Sequence, residues 1–188
     1  MFVDICLPKN NEEEFLQVAK ELGTKKILFL YEKVPKKKPE LYDLICKKNP
    51  PNKDYFYFSI AEEFMINNKA VKFHFGAEKL EKKDALHQRN SGINHILART
   101  MSEKEKVYVI CFEDFLKNSE VRIGRLKQNL KLLRKYDVPF IITSFASNPE
   151  NLRSEVELKS LIKTLGFEKQ AKKAVTILEE LLDKNSKV

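Results

Sequence analysis

The sequence has no tryptophan, and only three cysteines, three histidines, three methionines and five glycines among 188 residues. Each scarcity excludes something. Cys6, Cys46 and Cys111 are odd in number and far apart, so they form neither a disulfide framework nor a zinc-binding pattern. Cys6 and Cys111 sit in apolar, strand-like runs and read as small buried hydrophobes. With glycine so sparse there is no G-x-G-x-x-G and no G-x-x-x-x-G-K-[ST], which removes the usual phosphate-cradling loops. His74, His87 and His95 stand apart, with no H-x-H, H-x-x-x-H or H-E-x-x-H, so a His-rich metal centre at barrel strand ends cannot be assembled. No G-x-S-x-G supplies a nucleophile. The longest apolar runs, such as Ile27–Tyr31, are strand-sized and far short of a membrane span. Met1-Phe2-Val3-Asp4 lacks the basic, apolar opening of a signal peptide, so a reduced, cytoplasmic setting without a membrane partner is expected.

What the chain does have is charge of one sign in excess. Lys and Arg number 35 against 27 Asp and Glu, a net charge of +8 and a pI near 9.2. That balance favours a polyanionic partner. With 43% hydrophobic and 33% charged residues the composition is that of a folded globular chain.

The apolar pattern alternates short β-branched or aromatic runs with longer helical stretches. Phe2–Leu7, Ile27–Tyr31, Tyr55–Ser59, Val71–Phe75, Val107–Cys111 and Pro139–Thr143 read as strands. Glu12, Glu13 and Glu14 open a helix, with Phe15, Ala19 and Leu22 on one face and Gly23 at its end. Further helices are expected around Ile60–Asn67, Asn90–Ser102, Glu120–Tyr136, Ser154–Leu165 and Glu168–Asp183. Alternation of this kind predicts βα units and parallel pairing. The expected architecture is a single domain over 1–188 with one proline-rich, basic excursion at about 32–53. An open doubly wound sheet and a (β/α) barrel both fit six strands; the missing glycine loops favour the barrel. A full eight-unit barrel takes ~250 residues, so it would be abbreviated.

Candidate chemistry is thin at the strand ends. Asp4, Glu32, Glu113 and Asp114 are the carboxylates that a Mg²⁺ site would have to use, but nothing in their spacing is diagnostic and capping or strand-end roles are the favoured reading. The cations are more informative. In Glu120–Tyr136, Ile123, Leu126, Leu130 and Leu133 share one face, while Lys127, Lys131 and Arg134 follow i, i+4, i+7 outside it. Arg122 and Arg125 fall on the other flank, and no acidic residue lies between Arg122 and Lys135 to neutralise the helix. In Asn90–Ser102 the expected buried stripe is Ile93, Ile96, Leu97 and Met101, with His95 and Arg99 opposite. Arg89 beside Asn90-Ser91-Gly92 suggests a phosphate seat at a helix start, although an N-cap by Asn90 or Ser91 explains the same residues. Lys33, Lys36, Lys37, Lys38, Lys47, Lys48 and Lys53 crowd the excursion.

The segment Asp84-Ala85-Leu86-His87-Gln88-Arg89-Asn90-Ser91-Gly92-Ile93-Asn94-His95-Ile96-Leu97-Ala98 resembles the central signature of the archaeal ribonuclease P protein component 3 family, the thirty-kilodalton subunits of ribonuclease P and ribonuclease MRP. The basic helix, Ile142-Thr143-Ser144, Asn151-Leu152-Arg153-Ser154 and the opening Phe2-Val3-Asp4 are similar as well. The resemblance implies a TIM-barrel-like fold related to the polymerase and histidinol phosphatase barrels but without their metal ligands. It also implies a subunit of the ribonucleoprotein that frees mature tRNA 5′ ends, with catalysis in the RNA and Mg²⁺ held there, no cofactor on the protein, and ribonuclease P RNA, precursor tRNA, protein component 2 and other subunits as partners. On this resemblance Arg89, His95, Arg99, Arg122 and Arg153 are expected to meet RNA; helical phase adds Arg125, Lys127, Lys131 and Arg134. A metal-dependent phosphoesterase of the related barrels and a protein-only scaffold are the alternatives.

Overall fold

A computed structural model describes residues 2–46, 57–79, 90–116 and 119–185. Seven strands alternate with six α-helices: β1 (Val3–Cys6), α1 (Glu12–Glu21), β2 (Lys26–Tyr31), β3 (Tyr42–Ile45), β4 (Tyr57–Ile60), α2 (Glu63–Asn67), β5 (Val71–Phe75), α3 (His95–Glu103), β6 (Val107–Cys111), α4 (Ser119–Lys135), β7 (Phe140–Thr143), α5 (Glu155–Thr164) and α6 (Glu168–Asn185). The strands lie in one sheet in chain order, β1 to β7. Neighbours run parallel, as in Ile5 opposite Leu28 and His74 opposite Tyr108. After β7 the chain returns to β1: Cys6 bridges Ala146, and the Leu7 N–H donates to the Ala146 carbonyl at 2.8 Å. Sequential parallel order with the last segment paired to the first strand is the TIM-barrel-like (β/α) arrangement, built here from seven strands.

The chain divides into two compact units. The first holds residues 1–43, 111–113 and 141–188. Its α1 forms because three glutamates occupy the positive end of the helix while Phe15 and Ala19 recur on one buried face. That face packs on Cys6, Ile27, Phe29, Ala146 and Leu152, with the Phe15 and Phe29 rings edge to face at 6.2 Å. Gly23, at a φ of 73°, turns the chain out of α1. α5 starts on a capping box: Ser154 Oγ accepts the Glu157 N–H, and the Glu157 carboxylate accepts the Ser154 N–H at 2.8 Å. α5 and α6 then pack against each other.

The second unit holds residues 44–110 and 114–140. Phe58 and Phe73 stack at 4.4 Å between β4 and β5. Lys106, almost fully buried, donates through Nζ to the Asn68 and Val71 carbonyls, each at 2.6 Å. Its ammonium ties the start of β6 to the turn that leads into β5.

Three expectations need correction. β3 lies inside the excursion expected over 32–53: the Phe29 N–H donates to the Leu41 carbonyl at 3.1 Å and Leu44 pairs with Tyr57. Only four residues long, with Asp43 in its middle and prolines before it, β3 lacks the unbroken apolar run that marks its neighbours. α2 starts at Glu63 because Ile60 belongs to β4, and α3 starts at His95 because Gly92 takes a φ of 85° and Asn94 is extended. The shift leaves Ile96 outside the buried stripe, 62% exposed, and puts Ala98 inside it. The proposed strand residues Tyr55 and Phe56 lie outside the described residues.

Candidate nucleic-acid interface

The helical phase of α4 sorts its side chains as the spacing predicts on one side and differently on the other. Leu126, Leu130 and Leu133 are fully buried. Lys127, Lys131 and Arg134 are exposed along the opposite arc, and no carboxylate lies within one helical turn of Lys127 or Lys131 along the chain. The second flank is not a solvent face. Arg125 is only 9% exposed and donates through Nη1 to the Glu78 carbonyl at 3.3 Å. Arg122, half-buried, donates to the Asp114 carbonyl at 2.7 Å. One turn along from Arg125, the fully buried Asn129 donates to the Ser91 carbonyl at 2.8 Å. The buried arc of α4 is therefore wider than its leucines mark, because polar side chains extend it. Arg125 is thereby removed from the accessible cations.

α3 presents His95 and Arg99 to solvent, but Arg99 is paired at 2.8 Å with Glu103, one turn on. The phosphate seat expected at Asn90-Ser91-Gly92 is not a helix start. Asn94 caps the helix, its Oδ1 accepting the Leu97 N–H at 2.8 Å, and Ser91 is buried with its hydroxyl accepting from Gln128 at 3.1 Å. Arg89, Asp84–Gln88, Lys47, Lys48 and Lys53 lie outside the described residues. Lys33, Lys36 and Lys38 are exposed, and Lys37 stands 3.7 Å from Glu13. Arg153 is half-buried: its guanidinium lies 5.3 Å over the Phe112 ring and donates to the Leu152 carbonyl at 2.6 Å.

Three of the four strand-end carboxylates, Asp4, Glu113 and Asp114, are committed to the protein. Asp4 is fully buried, with Oδ1 accepting the Ile5 N–H at 2.9 Å and the Ser144 N–H at 2.7 Å. Burial pushes its carboxyl up to about 6, against the pull of those hydrogen bonds. Glu113 accepts from the Ser147 N–H, the Ser147 hydroxyl and Asn151 Nδ2 at 2.6–2.8 Å. Asp114 pairs with Lys79 at 2.6 Å, and Glu32 is exposed. Among the described residues no three His, Cys, Asp or Glu side chains come together as a ligand set.

Sequence reasoning passed over a second group of buried polar side chains. Glu78 is fully buried, accepts the Tyr108 hydroxyl, and has its carboxyl pushed up by burial. Side by side on β4 and β5, Ser59 Oγ and His74 Nδ1 are 3.2 Å apart. Burial, then the nearby Lys106 ammonium, pushes His74 down to about 3. A lone Glu or His in an apolar run carries no signal of burial, because its partners come from other strands.

These features define a class: a TIM-barrel-like α/β protein in which Asp4 and Glu113 at strand ends hold its own loops, and in which α4 carries an exposed row of cations. Residues 83–187 match the family described as RNase P subunit p30, more than half of the chain, and the chain belongs to that family. Ribonuclease P protein component 3 of Methanocaldococcus jannaschii is 30% identical over 63% of this chain and 52% of the relative. That of Methanosarcina acetivorans is 34% identical over 52% of this chain and 43% of the relative. The chain thus spans about half the length of these curated relatives. The protein of Methanosarcina mazei is 26% identical over 98% of this chain and 90% of its own length. A chain in a structure of archaeal ribonuclease P with mature tRNA has the same fold, with a TM-score of 0.77 over 96% of this chain and 90% of that one, at 19% identity. Among the described residues no helix is long and apolar enough to cross a membrane.

Proposed function

We propose that the chain is a protein subunit of ribonuclease P, working in the cytoplasm on precursor tRNA as part of the holoenzyme. The observation that carries this reading is the family match over 83–187. In this reading the RNA subunit holds the Mg²⁺ and cleaves the phosphodiester, while the protein binds and supports that RNA beside protein component 2 and other subunits. The outer face of α4 suits this work. Lys127 and Lys131 project into solvent with no carboxylate within one helical turn along the chain, so their charge is available to phosphates. His95, Arg99, Arg122, Arg134 and Arg153 extend the contact, Arg99 by exchanging Glu103 for phosphate. Arg89 belongs to the same proposal on sequence alone.

The test is cleavage of precursor tRNA with Mg²⁺, by the purified chain alone and by the chain with its cognate RNA. The expected result is specific 5′ cleavage only when the RNA is present, stimulated by the protein. Cleavage by the protein alone, abolished by Asp4→Asn, would establish the phosphoesterase alternative instead. RNA affinity that is negligible at low salt would leave the scaffold reading.

A further inference from the structure

Asn129 shares the buried arc of α4 with Leu126, Leu130 and Leu133, and none of its surface is exposed. Its Nδ2 donates to the Ser91 carbonyl at 2.8 Å, but its buried Oδ1 receives no hydrogen bond. A buried amide with one end unpaired costs stability that a leucine of similar size would not. What Asn129 holds, not how well it packs, therefore explains its place in a leucine face. Beside it, Gln128 donates through Nε2 to the Ser91 hydroxyl at 3.1 Å, so α4 grips Ser91 at two atoms.

From Ser91 the path into α3 is short and fixed. The Ser91 hydroxyl donates to the Ile93 carbonyl at 3.4 Å, Gly92 takes a φ of 85°, and Ile93 is buried. Asn94 is extended and caps the helix through the Leu97 N–H. His95, the first residue of α3, then stands in solvent. A shift of Ser91 is carried to His95, because the three residues between them have no slack. The grip is also close to the exposed cations of α4. Lys127 immediately precedes Gln128, and Lys131 lies one turn beyond it at i+3, where helix side chains are neighbours. α3 and α4 pack against each other as well. The start of α3 is thus fastened to the stretch of α4 that carries the exposed lysines.

We propose that Asn129, assisted by Gln128, is a positioning residue: it fixes the start of α3 against α4 so that His95 meets the same RNA as Lys127 and Lys131. Asn129 itself is buried and touches no RNA. The inference rests on the reading that His95 and the α4 lysines contact RNA.

Two double-mutant cycles on the full chain test it, each read as affinity for labelled ribonuclease P RNA. One combines Asn129→Ala with His95→Ala, the other Asn129→Ala with Lys131→Ala, and circular dichroism checks that each variant folds. Where Asn129→Ala does not fold, Ser91→Ala, which removes only the hydroxyl that Gln128 grips, takes its place. His95→Ala and Asn129→Ala should each weaken binding about fivefold, the loss of one hydrogen bond, and the pair should bind no more weakly than either alone. Lys131→Ala should add its full loss to that of Asn129→Ala. A general loosening of the fold would instead diminish the contributions of His95 and Lys131 alike. Amide exchange of the RNA-free chain gives a second reading: Asn129→Ala should speed exchange at Leu97, which Asn94 caps, while Leu126 and Leu130 keep their protection. Normal RNA affinity in folded Asn129→Ala, additive losses in the His95 cycle, or a diminished Lys131 contribution would each overturn the proposal. If His95→Ala binds as tightly as the unaltered chain, the reading of His95 as an RNA contact fails and the proposal falls with it. Weak binding by His95→Ala beside normal binding by Asn129→Ala overturns the positioning role alone.

Discussion

Two buried titratable side chains pull stability in opposite directions as the pH changes. Asp4 has its carboxyl raised from 3.8 to about 6, so above pH 6 the folded state must hold a charge that burial disfavours. One pKa unit is about 1.4 kcal/mol, which makes that cost about 3 kcal/mol, relieved as the pH falls from 6 towards 4. His74 is lowered from 6.5 to about 3, so its contribution is present above pH 6.5 and lost as the pH falls towards 3. Between pH 6.5 and 4 the two largely offset each other. Asp4→Asn removes the compensating gain, so this variant should lose stability more steeply in acid than the unaltered chain. His74→Gln should instead grow more stable from pH 6 to pH 4. Urea midpoints across that range measure both; an Asp4→Asn profile parallel to that of the unaltered chain contradicts the assignment. Arg125 gives a second prediction at this scale. Because it is buried against the Glu78 carbonyl, Arg125→Ala should cost about 2–3 kcal/mol in a denaturant titration. At temperatures where the variant is folded, the RNA salt slope should stay as it was.

At the scale of single elements, α4 keeps its packing residues apart from the cations proposed to bind RNA. Lys127, Lys131 and Arg134 can be changed to Ala together without touching Leu126, Leu130 or Leu133. Removing one phosphate-neutralising cation should flatten the log–log dependence of RNA affinity on salt by roughly 0.7–0.9. The triple variant should therefore lose about two units of slope with its unfolding midpoint nearly unchanged. An unaltered slope with intact folding rules out the stripe as an RNA-binding surface. α5 offers a test of local structure alone. Ser154→Ala removes the capping box and should cost about 1 kcal/mol, read from the same denaturant titration.

For the whole molecule, carboxylates at the strand ends of this TIM-barrel-like fold hold the chain's own loops. Strand ends are where such folds gather ligands for substrate or metal. Here Asp4 binds the Ser144 amide, and Glu113 gathers Ser147 and Asn151. Both carboxylates thus fasten the segment that follows β7, which includes Phe145, buried with a φ of 50°. That conformation is uncommon for a bulky side chain and persists where the surroundings hold it. Glu113→Ala should loosen this segment, seen as faster amide exchange at Ser147 and Asn151, while amides of β4 to β6 keep their protection.

Most of the architecture was legible in the sequence because periodicity reports burial directly. Six of the strands, the acidic start of α1, the leucine face of α4 and the exposure of His95 follow from local spacing alone. So does the outward position of Lys127, Lys131 and Arg134, since a helix's solvent arc is set by which residues its apolar neighbours displace. Only the tertiary structure decided the rest. β3 is too short and too polar to be told from a loop until Phe29 and Tyr57 supply its partners. Ile96 reads as core until the positive φ of Gly92 and the Asn94 cap shift the helix start. Arg125 reads as a surface cation until the Glu78 carbonyl accepts it. For β3 and Arg125 the deciding partner lies far along the chain, and hydrogen bonds between distant residues leave no periodic trace in the sequence that makes them.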